Sequence, residues 1–145
     1  MQTARDLLDI FLATRGTQPD AAIVLFADDG LYEAPYLESL GMPWRYRGLD
    51  EVGRYLHAES EVFRQLAFHD VVVVADTGAV VVAEYQFTAR STRTARMVHQ
   101  LIVGRLDAVD GRITRLRESL NLVEVALALF PDGLSYLRVA QNRGM

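Results

Sequence analysis

From residue 68 to residue 121 of this 145-residue chain the hydrophobic pattern drops to a period near two, in four runs broken by turn signals. Segments 68–76, 79–90, 97–109 and 112–121 are rich in Val, Ile, Tyr and Phe. A period of two belongs to strands, whose side chains alternate between the faces of a sheet. The first two runs meet at "DTGA" (76–79) and the last two at "DAVDGR" (107–112). Asp-Gly between strands is a strong hairpin signal. The pattern predicts a meander of long antiparallel strands, and such a sheet needs cover for its apolar face.

The residues before the meander supply that cover. Thr3 and Asp6 have capping-box spacing, with an acid at the third helical position, and Leu7, Leu8, Phe11 and Leu12 follow as a short amphipathic helix. A second start is Thr17-Gln18-Pro19-Asp20, whose helix carries Ile23, Val24 and Phe26 and stops at "DDG" (28–30). "LYEAP" (31–35) reads as a short strand closed by Pro35, and 36–47 as irregular. From Gly48 the spacing of Leu49, Val52, Leu56, Phe63 and Leu66 predicts a third helix of about five turns, with Tyr55 and Glu59 on or beside its apolar face. A last helix, Leu122–Phe130, ends at "PDG" (131–133). Three helices, a meander and a short helix give an α+β order in a single domain, with 131–145 as a C-terminal extension.

Composition narrows the function. A net charge of −4 argues against general nucleic-acid binding, which needs a basic surface. The runs "VVVVA" (71–75), "AVVVA" (79–83) and "VALALF" (125–130) are too short to span a bilayer, so no membrane partner is expected. The acids within "MQTARDLLDIF" are unlike a signal peptide. There is no cysteine, hence no disulfide and no thiolate chemistry, and a reducing cytoplasm suits the chain. GxSxG, GxGxxG, phosphate-loop and HExxH patterns are missing, which weakens serine-hydrolase, nucleotide-cofactor and metal readings.

One carboxylate stands out. In the last strand the odd positions Ile113, Arg115, Arg117, Ser119 and Asn121 are mostly polar, and the even ones, Thr114, Leu116, Glu118 and Leu120, mostly apolar. Glu118 in "LRESLN" (116–121) therefore shares its face with two leucines. A buried carboxylate must pair, accept hydrogen bonds or take up a proton, and a poised one serves as a general acid or base. The alternatives are a structural salt bridge or a β-bulge that turns Glu118 outward. His99 in "MVHQLIV" shares a face with Met97, Leu101 and Val103; it is either a core histidine or a second proton carrier in the cavity of Glu118. Tyr32, Tyr55 and Tyr85 are core residues or phenolic donors to a ligand. Glu84 lies on the face opposite Ala83, Tyr85 and Phe87, yet Val80 and Val82 beside it are apolar, which suits a sheet covered on both sides. His57, His69 and the arginines 90, 93 and 96 read as solvated, the arginines with a second reading as attractors of an anionic substrate.

"LFADDGLYEAPY", "YRGLDEVGRYL", "VVVAEYQF" and "DGRITRLRESLN", followed by a short helix, together resemble the SnoaL-like branch of the nuclear transport factor two-like (ketosteroid isomerase-like) superfamily. "YRGLDEV" and "RITRLRESLN" look nearest to phenazine-biosynthesis isomerase-like proteins. The resemblance implies a cone-shaped α+β barrel, a strongly curved, mainly antiparallel sheet whose helices enclose an apolar pocket. It also implies a homodimer formed through the sheet and isomerase, cyclase or dehydratase chemistry on a small hydrophobic carbonyl or polyketide-like compound without cofactor. The family's acid/base glutamate falls on Glu118, its helix histidine on Tyr55, and a frequent cyclase aspartate on Asn121. The expected site therefore has Glu118 and His99 as proton carriers and Tyr32 and Tyr55 as hydrogen-bond donors. Leu56, Phe63, Leu116 and Leu120 are its apolar lining. The alternative is a non-catalytic ligand-binding or dimerisation module. Glu118 exposed to solvent, or locked to an arginine with no cavity beside it, would remove the enzyme reading.

Overall fold

The structure, a computed structural model, describes residues 1–135; of the extension expected over 131–145, residues 136–145 lie outside the described part. The chain runs α1 (Ala4–Thr14), α2 (Pro19–Ile23), β1 (Phe26–Glu33), a 3-10 turn (Pro35–Leu40), β2 (Arg45–Arg47) and α3 (Gly48–Val62). Then come β3 (Phe63–Asp76), β4 (Val80–Ser91), β5 (Met97–Val109), β6 (Arg112–Ser119) and α4 (Leu122–Leu129). Six strands form one curved, open sheet in the order β2-β1-β6-β5-β4-β3. All neighbours are antiparallel except β1 and β6. Among the described residues no helix is long and apolar enough to cross a membrane.

Local chemistry accounts for most of these elements. Thr3 and Asp6 close the reciprocal capping box at the start of α1. Between β5 and β6, Asp110 and Gly111 both adopt positive φ (52° and 72°), the conformation a two-residue hairpin turn requires.

Three boundaries differ from the sequence pattern. Phe26 opens β1 instead of extending α2, because it pairs with Ile113 of β6. Phe63 and Leu66 leave α3 for β3, where Phe63 pairs with Ser91 and its ring meets Phe87 edge-on at 5.2 Å. The segment 36–47 holds the 3-10 turn and β2. In each case a long-range partner outweighs local periodicity, which is a weak determinant of element ends.

The concave face is the core. β4 contributes Val81, Ala83, Tyr85, Phe87 and Ala89, and β5 contributes Val98, Gln100, Ile102 and Leu106, all buried. Leu7, Leu8 and Phe11 of α1 and Val52 and Leu56 of α3 are buried in the same core. The convex face keeps exposed apolar side chains, among them Val72, Val74, Met97, Leu101 and Val103.

Candidate active site

Glu118 points inward, as strand alternation requires, and is fully buried. Its partner is Arg15, which follows the last turn of α1 and is itself only 2% exposed. Leu7, Phe11 and Arg15 are spaced four apart, so the guanidinium emerges from the apolar side of α1. It lies 5.1, 5.4 and 4.7 Å from the ring centroids of Phe11, Tyr32 and Phe68.

Arg15 binds two carboxylates. Nη1 and Nη2 donate to Oε2 and Oε1 of Glu118, both at 2.9 Å. Nε and Nη2 donate to Oε1 and Oε2 of Glu59, on α3, at 2.7 and 2.9 Å. Tyr32 donates to Oε1 of Glu118 at 2.5 Å, and Tyr85 donates to Oε2. Tyr55 donates to Oε2 of Glu59 at 3.1 Å, and its hydroxyl lies 3.2 Å from that of Tyr32. Five elements of the fold, α1, α3, β1, β4 and β6, thus meet in one polar cluster. Gly104, paired with Glu118 across β5 and β6, makes room for it: a Cβ there would overlap the Tyr85 hydroxyl.

The two carboxylates differ in what they have left to offer. An ionised carboxylate has about four lone-pair positions. Glu118 accepts two hydrogen bonds on each oxygen, so all of its positions are filled. Burial pushes its pKa up, but the Arg15 charge and the bonds from Arg15, Tyr32 and Tyr85 outweigh that and hold it below the ordinary glutamate value. From the described residues Glu59 accepts three hydrogen bonds, one on Oε1 and two on Oε2, which leaves one position on Oε1 open among them. Burial first, and the neighbouring carboxylate charge second, push Tyr32, Tyr55 and Tyr85 well above the usual phenol value, so all three stay protonated. One guanidinium against two carboxylates leaves the cluster with one net negative charge.

Beside the cluster lies a cavity of about 260 Å³. Arg15, Tyr32, Tyr55 and Glu59 reach its wall; Tyr46, Phe63, Phe68, Phe87, Ile102, Leu120, Val125 and Leu129 make most of the rest. Glu118 stands behind Arg15 and Tyr32 and is not part of the wall. The cavity is roofed in part by α4. Asn121 caps that helix through Oδ1, accepting from the N–H groups of Val123 and Glu124. Arg96 ties down its other end, donating to the carbonyls of Leu127, Phe130 and Pro131.

The expected site residues separate accordingly. Tyr32, Tyr55, Phe63 and Leu120 line the cavity; Leu56 and Leu116 are buried in the core but do not reach it. His99 pairs with Thr88 on the convex face, is exposed, and does not meet Glu118. Both faces of β5 are apolar enough to pass for the inner one, which is why the sequence placed His99 on the wrong side. Arg96 is a helix-capping residue, where a solvated role was expected; Arg93 is exposed at the cavity wall. His57 and His69 are exposed and face Asp20 and Asp70. Arg15 was not anticipated at all, although its place in the Leu7–Phe11–Arg15 series is the signal that singled out Glu118: a charge on an apolar face.

A curved sheet and helices enclosing an apolar cavity with a carboxylate cluster define a class of α+β cones. The sequence signature of the SnoaL-like domain matches residues 4–116, and the chain belongs to that family. Solved structures agree on the fold. A candidate isomerase from Bacillus subtilis is 24% identical, with a TM-score of 0.78 over 86% of this chain and 91% of that one. A phenazine biosynthesis-related protein from Pseudomonas aeruginosa is 18% identical, with a TM-score of 0.75 over 87% and 84%. A candidate polyketide cyclase from Pseudomonas putida is 15% identical, with a TM-score of 0.76 over 89% and 99%. These three superpose about equally well and do not single out one branch. No curated protein matches the sequence.

Removing one partner from a buried ionic cluster leaves an uncompensated charge, which costs about 3–5 kcal/mol. Arg15→Met should therefore lower the unfolding free energy by about that amount in denaturant titrations. Acid should act through the same group. Because the folded-state pKa of Glu118 is depressed, its contribution is complete above the ordinary value of 4.5 and is lost as pH falls through the lower folded value. Thermal scans from neutral pH to about pH 3 should show that loss, and Glu118→Gln should flatten the slope in that acid window.

Proposed function

We propose that the protein is a cofactor-independent proton-transfer enzyme, an isomerase, cyclase or dehydratase, acting on a small, largely apolar carbonyl compound held in the cavity. The observation that carries this reading is the open lone pair on Glu59 at the end of an apolar chamber. A base there can take a proton from carbon next to a carbonyl group: the C–H electron pair moves into a C=C bond and the carbonyl oxygen becomes an enolate oxygen. Returning the proton to a different carbon gives an isomer, and attack of the enolate on a second carbonyl gives a ring.

In this reading Glu59 is the proton carrier. Glu118 is the charged anchor of Arg15, because its own lone pairs are filled. Arg15 holds Glu59 in place, and Tyr32 and Tyr55 orient the two carboxylates. The candidate isomerase and cyclase structures with the same fold support the reaction class. A binding module would need neither an open carboxylate nor the cost of burying two of them around one arginine.

The convex face of the sheet supports a homodimer. Met97, Leu101 and Val103 of β5 and Val72 and Val74 of β3 are exposed together, and Gln86 between these strands has a buried amide oxygen without a partner among the described residues. A second copy of the chain would cover this surface.

Two measurements test these proposals. In D2O with cyclic enones such as cyclohexenone and isophorone, the protein should accelerate exchange of the hydrogens next to the carbonyl, read by proton NMR. Glu59→Gln should slow this exchange by about 100-fold or more; a variant with unchanged exchange would remove Glu59 from the chemistry. In sedimentation equilibrium the chain should behave as a dimer, and Leu101→Glu should yield a folded monomer.

A further inference from the structure

Every phenolic proton at the cluster is already committed. Tyr32 and Tyr85 donate to Glu118, and Tyr55 donates to Glu59. Tyr46, the third tyrosine of the cavity wall beside Tyr32 and Tyr55, is directed at the Pro43 carbonyl at 3.5 Å. The N–H groups of Arg15 that face the cluster are taken up by two carboxylates and a hydroxyl. Arg93 is exposed at the cavity wall.

Gln100 is different. It sits on β5 opposite Phe87, is only 8% exposed, and lines the cavity. Its Oε1 accepts the N–H of Asn121 at 2.9 Å. An N–H donor can be met only by the amide oxygen, so this bond fixes which way the side chain faces. The Nε2 group then has two hydrogens and no acceptor among the described residues. Tying down Asn121 requires only the oxygen; the amide nitrogen is surplus to that role. The amide nitrogen is accessible rather than sealed in the core, and with Gln100 on the cavity wall a ligand oxygen can accept from it.

We propose that Gln100 binds the carbonyl oxygen of the ligand and carries the negative charge that develops there, so that the cavity selects neutral compounds with an acceptor oxygen. The net negative charge of the cluster disfavours a carboxylate or phosphate beside Glu59, with Arg93 the one further charged group on the described wall. A neutral amide donor, held rigidly by Asn121, suits an oxygen that gains charge during reaction. This assignment rests on the proton-transfer reading, with Glu59 as the base and Gln100 as the oxyanion donor.

The test compares isophorone with the trimethylcyclohexene that lacks its carbonyl oxygen. Wild-type protein should bind the ketone about tenfold more tightly than the hydrocarbon. The side-chain amide resonances of Gln100 in a nitrogen–proton NMR spectrum should shift with the ketone and not with the hydrocarbon. Gln100→Glu keeps an oxygen for Asn121 and replaces the amide donor by an acceptor. It should abolish the preference for the ketone, slow exchange, and leave hydrocarbon binding intact as proof that the cavity is still formed. Equal binding of the two probes by the wild type, or an unmoved Gln100 amide, would overturn the assignment. Exchange at the wild-type rate in Gln100→Glu, with exchange lost in Glu59→Gln, would overturn Gln100 alone and leave the proton-transfer reading standing. Wild-type protein that neither binds the ketone nor exchanges its hydrogens would sink both.

Discussion

The architecture depends on a single guanidinium held between two carboxylates. Arg15 leaves the end of α1, reaches Glu118 on β6 from one side and Glu59 on α3 from the other, and packs over three aromatic rings. Taking these charges out of water is expensive, and an apolar trio of the same volume would serve stability as well or better. The cluster gives something that apolar packing cannot. It fixes the position of a carboxylate at the wall of a largely apolar cavity. The four hydrogen bonds to Glu118 favour its charged form, so it serves as the counter-charge of Arg15, and Arg15 transmits that constraint to Glu59.

The meander was readable because its strands are runs rich in Val, Ile, Tyr and Phe broken by turn signals, and its tightest turn uses Asp110 and Gly111, both at positive φ. The inward turn of Glu118 was readable from the alternation within the last strand. Alternation failed one strand earlier. Met97, Leu101 and Val103 form an apolar series as good as Val98, Ile102 and Leu106, yet the former faces outward beside His99 and the latter inward beside Gln100. A sheet with two apolar faces carries no local mark of which is the core, and only the helices packed on it decide. Ile113 shows the limit in another way: a register shift between Asp107 and Ala108 lets it point inward although its parity matches the polar set.

Long-range pairing hid the remainder. The parallel pairing of β1 with β6 joins residues far apart in sequence, and it moves Phe26 from a helix into a strand. Arg15 and Glu59 each stand on an apolar helical face, at Leu7–Phe11–Arg15 and Val52–Tyr55–Glu59. Those two spacings, read with the alternation around Glu118, contain three misplaced charges whose signs require one another. Which charge pairs with which is a tertiary fact. The sequence holds the components of the site and leaves their arrangement to the fold.

The division between filled and open hydrogen-bonding positions separates structural from chemical roles more sharply than burial does. Glu118 is the most buried acid of the cluster and has no vacancy. Glu59, slightly exposed at the cavity wall, has one. Gln100 has its oxygen committed and its nitrogen free. A reacting carbonyl compound needs an acceptor for a proton and a donor for an oxygen, and among the buried groups of this wall those two vacancies are of the kinds required. The net charge of the cluster adds a constraint on the ligand. A neutral carbonyl compound can sit beside Glu59 without opposing that charge, whereas an anion there would be repelled.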